Sequence, residues 1–241
     1  MTWSIIARDA TTGAFGVAVA TKFFAVGALC PHASGAGALA TQALINPTYG
    51  PRGLRLLADG IGAPQVVAAL VAGDDGRDHR QLHAIDRDDR AAAYTGAACL
   101  DWCGHTIAAD HSVAGNMLAG PLVIAETSAA FAANARLSFP RRLIAALKAG
   151  EAAGGDKRGR QSAALIVNAG EEWPQLDLRV DDHADPLAEL ARLERVSRER
   201  FVHFLEFLPT RAHPAGVFDR ARIEAGIGAA LAAAAAEDAE S

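Results

Sequence analysis

The chain has 241 residues, a formal net charge of −5, and 51% hydrophobic against 21% charged residues. That balance supplies ample material for a core. It argues against nucleic acid as a partner, because phosphate binding needs a basic face and only Lys157-Arg158-Gly159-Arg160 forms a basic cluster. No apolar stretch of transmembrane length is free of charges or turn residues. The first apolar run is broken by Arg8 and Asp9, which is not the pattern of a signal peptide.

In chain order, Trp3, Ile5 and Ala7 alternate with Ser4, Ile6 and Arg8, which predicts a strand almost from the first residue. Asp9 to Gly13 is a turn cluster, with Gly13 where a positive φ is most needed. Phe15 to Ala20 is nearly all apolar and reads as a strand buried on both faces. A small-residue stretch through Cys30 to Gly37 leads to a buried strand over 38–43. Asn46 to Pro51 is a turn and helix entry, followed by two short helices, the second entered through Pro64. Arg80 to Ile85 and Ala91 to Thr95 read as paired strands joined by a polar turn.

Residues 99–111 are irregular, with short strands around Thr106-Ile107 and Val113-Ala114, and Gly115 to Gly120 is a glycine-flanked turn. Helices follow from Pro121 to about Ala135 and from Pro140 to Ala149, the second stopped by Gly150. Strands over 161–167 and 176–180 come next, and a long helix from the Asp185 cap to about Phe207. Pro209 and Pro214 break the chain before an alanine-rich helix from about Phe218. Strands and helices come in runs rather than in βαβ alternation, which favours an α+β arrangement of two packed sheets with helices outside. The expected division is a domain over 1–208 and a helical extension over 209–241. The extension has too little apolar bulk for its own core, so it docks on the body or on a partner subunit, and a homo-oligomer is expected.

The blocks TWSIIARD, GVAVATKFFAVG, ATQALINPTYGPRGL, TGAAC, GNML, DKRGRQSAALIV and DLRVDDHADPLAEL resemble, in register from residue 2 to about 190, domain of unknown function 1028. That family is regarded as related to the N-terminal-nucleophile (Ntn) hydrolases. The resemblance implies a four-layer αββα sandwich, two antiparallel sheets between helical layers, here with extra C-terminal helices. It also implies a Thr, Ser or Cys nucleophile at the start of a central strand, exposed by removal of what precedes it. The matching position is Thr2.

Threonine is small enough for the initiator methionine to be removed before it. Without Met1, Thr2 carries a hydroxyl and an amine of pKa near 8, a nucleophile with its own base, and an amide C–N bond is the natural target. Lys22, at the end of the second strand, would lower the amine's pKa and steady negative charge. Ala20-Thr21-Lys22 lacks the Asp of the proteasome-like pattern. Asp181-Asp182-His183 is the densest ionisable cluster, and Asp182 and His183 are expected to support catalysis.

Ser4, Thr41, Gln42, Asn46, Asn116, Gln161 and Ser162 are candidate substrate contacts, with Asn116 as an oxyanion donor. Cys99-x-x-x-Cys103-x-His105 lacks the tight pairing of a zinc site, and no metal or other cofactor is expected. The odd count of three cysteines favours free thiols and a cytoplasmic location. The resulting expectation is a hydrolase of a small amide-like substrate. The alternative is a non-catalytic or metal-dependent relative that binds small molecules through Asp181, Asp182 and His183.

Overall fold

The computed structural model describes residues 2–240, with side chains for 2–234. Met1, whose removal the Thr2 chemistry requires, lies outside the described residues. The opening hairpin joins β1 (Thr2–Arg8) to β2 (Phe15–Thr21), antiparallel in register from Thr2↔Thr21 to Arg8↔Phe15. The Asp9 carboxylate accepts the Thr12 hydroxyl at 2.5 Å, and Gly13 takes φ 74, so local side-chain bonding sets the turn.

Four more strands complete a six-stranded antiparallel sheet: β7 (Gly104–Ile107), β8 (His111–Asn116), β9 (Ser162–Asn168) and β10 (Leu176–Val180). Their order is β10-β9-β2-β1-β8-β7, so β1 is paired on both edges. A four-stranded antiparallel sheet contains β3 (Pro31–Ser34), β4 (Gly37–Ala43), β5 (Arg80–Asp86) and β6 (Ala91–Thr95), in chain order.

The period-two alternation of the strands assigns each face. Ile6, Val17 and Val19 of the larger sheet meet Ala38, Ala40 and Ile85 of the smaller one in a buried cluster. The other face of the smaller sheet, through Leu39 and Leu82, packs with α1 (Tyr49–Ala58) and α2 (Ala63–Ala72). The other face of the larger sheet contacts α3 (Leu122–Ala133) and α4 (Phe139–Ala152). Gly16 lets α4 come close: a Cβ there would lie 2.6 Å from Leu143 Cδ1 and 2.8 Å from the Phe139 ring.

Several local expectations change. The small-residue stretch before residue 37 contains β3, hydrogen-bonded to β4. Gly115 and Asn116 end β8 rather than open a turn. Gly150 lies inside α4, where a Cβ would fall 2.2 Å from Thr127 Oγ1 and 2.8 Å from Trp3 Nε1. It is there for close packing, not as a stop. The predicted 185–207 helix is broken: α5 (Pro186–Ser197) ends before Arg200, whose φ of −158° is not helical, and α6 (Phe201–Phe204) follows.

The chain separates into two compact units, Met1–Ala191 and Arg192–Ser241. In the second, α7 (Arg220–Glu240) buries Ile227, and Arg200 pairs with Glu224 at 2.6 Å. Asp219 Oδ1 accepts the backbone N–H groups of Ala221 and Arg222 and so caps α7. Among the described residues, no helix is long and apolar enough to cross a membrane.

Candidate functional site

At one end of the six-stranded sheet, register aligns Asn116, Thr2, Thr21 and Ser162 across β8, β1, β2 and β9. All four are buried although every one is polar. Buried polar groups are normally hydrogen-bonded, and these are. Thr2 Oγ1 lies 3.1 Å from Thr21 Oγ1. Ser162 Oγ donates to the Phe23 carbonyl at 2.5 Å and accepts the Val26 N–H at 3.2 Å, which fixes the loop after β2.

The smaller sheet answers this row with amides. Gln42 Nε2 donates to Gln81 Oε1 at 2.8 Å and to the Thr2 carbonyl at 3.4 Å. Asn116 Nδ2 donates to the same two oxygens, at 3.1 and 3.4 Å. Gln81 is the hub, and its own Nε2 reaches Thr95 Oγ1, the Gly104 carbonyl and the Gly115 carbonyl at 2.9–3.1 Å. The side-chain amides of Gln42 and Asn116 are thus committed to holding β1, and Asn116 is a positioning group here rather than an open donor.

Deeper in, Ser4 Oγ donates to Gln42 Oε1 at 2.7 Å and meets His83 Nε2 at 2.9 Å. His83 Nδ1 meets Ser112 Oγ at 3.0 Å. Burial, and to a lesser degree the nearby His105, push His83 down to about 3, so its ring is neutral near pH 7. Gln81 and His83 escaped the sequence reading. Their signal is two polar residues at i and i+2 on one face of β5, alternating with Leu82 and Ala84 on the other.

The remaining expected site residues lie elsewhere. Lys22 Nζ donates to the Arg160 carbonyl at 3.0 Å, and its backbone N–H to Asp156 Oδ2 at 2.7 Å. Asp182 accepts Gln161 Nε2 at 3.1 Å, and His183 Nδ1 accepts the Asp185 N–H at 3.0 Å; all are at the surface. This turn follows β10, three strands from β1, or roughly 14 Å at the usual strand spacing. Asn46 Nδ2 donates to Asp74 Oδ2, which also accepts the Tyr49 hydroxyl and Arg80 Nε. These donors hold the Asp74 carboxyl below its ordinary range. Thr41 Oγ1 donates to the Asn46 carbonyl at 3.3 Å. The structure therefore brings Thr2, Ser4, Gln42, Asn116 and Ser162 together, while the side-chain bonds of Lys22, Asp182, His183, Asn46 and Gln161 go to other partners. Among the described residues, no group of three or more His, Cys, Asp and Glu side chains converges as a metal shell.

Two hollows flank the Thr2 end of the sheets. One, of about 80 Å³, is lined by Thr2, Phe23, Ala25, Val26, Leu29, Cys30, Gln42, Ala43 and Ile45. The other, of about 370 Å³, is lined by Ala43, Leu44, His79, Ala98, Cys99, Leu100, Asn116 and Met117. Ala25, Ala43 and Met117 have φ of 52°, 69° and 53°. Among the described residues, only Asp89 joins these three as a non-glycine residue with positive φ. Such conformations cost about 1–3 kcal/mol each and cluster at ligand-binding sites.

The family of unknown function DUF1028 matches residues 2–190, and the chain belongs to it. Among solved structures, the chain is similar to the protein SPO2555 from Silicibacter pomeroyi, described by the same family. The two are 34% identical with a TM-score of 0.83, over 90% of this chain and 99% of the other. No curated protein matches.

Proposed function

We propose that this protein is an amide hydrolase of the N-terminal-nucleophile type, with Thr2 as nucleophile and base. The helices on the outer faces of two facing sheets fit the αββα sandwich of that class. One observation carries the reading: Thr2 opens a strand paired on both edges, lines a pocket, and has its carbonyl held by the side-chain amides of Gln42 and Asn116. Rigid positioning of a nucleophile is what covalent catalysis requires.

Cutting the peptide bond before Thr2 frees its α-amine. The amine takes the Oγ1 proton as Oγ1 attacks the amide carbonyl. The C–N bond breaks, the proton leaves with the amine product, and an ester remains on Thr2. Water then cleaves the ester and releases a carboxylic acid. Thr21, 3.1 Å from Thr2 Oγ1, orients the hydroxyl. Lys22 and the Asp182-His183 turn support the frame rather than the reacting atoms. The Ala25 N–H donates to the Asp181 carbonyl at 2.9 Å, so this turn holds one wall of the pocket.

Intact mass and N-terminal sequencing of turnover-competent protein test the reading. Thr2 at the terminus, loss of turnover in Thr2→Ala with an unchanged unfolding midpoint, and retention in Thr2→Ser are expected. Turnover by protein that still carries the residue before Thr2 overturns it.

A further inference from the structure

The pocket beside Thr2 is notable for what lines it. The eight lining residues other than Thr2 include no carboxylate, amine, guanidinium or imidazole. Cys30 is fully buried, and burial pushes its thiol up to about 12, so it stays neutral. The polar contribution comes from Thr2 and Gln42, and the Gln42 amide is already bonded to Ser4, Gln81 and the Thr2 carbonyl. Away from the Thr2 amine, a charged ligand group would lose hydration with no charged partner to compensate it. An aliphatic group would not.

Size narrows the class further. A cavity of about 150 Å³ accepts benzene. At about 80 Å³, this pocket takes roughly half of that, about three to four carbon atoms. Its walls are also held in place. Ala25 and Ala43 stand on two sides in positive-φ conformations, and Ser162 and Asp181 tie down the 23–26 loop. Ala43 also lines the larger hollow, together with Asn116, His79 and Cys99.

We infer, resting on the Thr2 reading above, that the small pocket holds the acyl half of the substrate and that this half is a short, uncharged aliphatic chain, while the amine half lies toward the larger hollow. Attack by Thr2 Oγ1 then leaves a short-chain acyl ester in the pocket, and water releases the short-chain acid.

The test uses full-length protein and aminocoumarin amides of acetic, butyric, octanoic and succinic acid, with a parallel binding arm. That arm titrates butyramide, octanamide and succinamate by ligand-observed NMR. Butyryl amide should exceed octanoyl and succinyl amides by at least tenfold in kcat/KM. Ile45→Trp, at a partly exposed lining position, should lower butyramide binding at least tenfold with the unfolding midpoint retained. Ile45→Ala should move the preference toward octanoyl. Turnover that favours succinyl or octanoyl amides in the unaltered protein overturns the acyl class and leaves the hydrolase reading standing. Selective butyramide binding, lost in Ile45→Trp, without turnover of any amide supports the pocket's ligand class and sinks the hydrolase. Absence of both sinks both.

Discussion

His83 should make this fold sensitive to mild acid, and its size can be worked out. The imidazole is fully buried, and its contacts in the neutral form are Ser4 Oγ and Ser112 Oγ. Its pKa falls from an ordinary 6.5 to about 3, mainly through burial. The unfolded chain therefore takes up a proton at higher pH than the folded chain does. The stability contributed by neutral His83 is complete above pH 6.5 and is lost as pH falls toward 3. One pH unit is worth about 1.36 kcal/mol, so the gap between 6.5 and about 3 amounts to about 5 kcal/mol, of which about 3 kcal/mol is gone by pH 4.

His83→Gln keeps a polar group able to bond Ser4 and cannot titrate. Urea unfolding of both proteins at pH 7.5 and 4.0 isolates the contribution. The unaltered protein should lose about 3 kcal/mol more than the variant between the two conditions. Asp86 and Asp110, both held below the ordinary carboxylate range, are common to both proteins and cancel in the comparison. Equal losses would refute the claim that His83 is buried neutral.

Two further outcomes follow from packing. Gly150→Ala should destabilise by about 2–4 kcal/mol, read as a lower unfolding midpoint, because the new methyl meets Thr127 Oγ1 and Trp3 Nε1 inside a close helix-to-sheet contact. Cys30 should resist iodoacetamide in the native protein at pH 8 while the partly exposed Cys99 and Cys103 are modified, which peptide mass mapping reads directly.

Much of the fold is legible in the sequence where local chemistry decides. The 9–13 turn, the alternation in β1, and the Pro64 helix entry each follow from residues within a few positions. β3 was hidden because Cys30 to Gly37 is small and lacks the β-branched residues that mark strands. Gly150 misled because a glycine that ends a helix and one that admits a neighbour look alike in one dimension. The site divides in the same way. Gln42 and Asn116 stand out as amides at buried strand ends. Whether Asp182 lies beside Thr2 depends on strand order, and β9 and β2 stand between them. No spacing along the chain encodes that.

The double-edged pairing of β1 sets a timetable. Thr2 stands in register opposite Thr21 on one side and opposite Asn116 on the other. A processing enzyme needs its substrate as a free extended segment. Pairing of β1 on that second edge waits for β8 to be synthesised. At roughly 5–20 residues per second, the ribosome takes on the order of 6–20 s to travel from Thr2 to Asn116. If the proposed release of Thr2 needs β1 extended and unpaired, it falls within this interval.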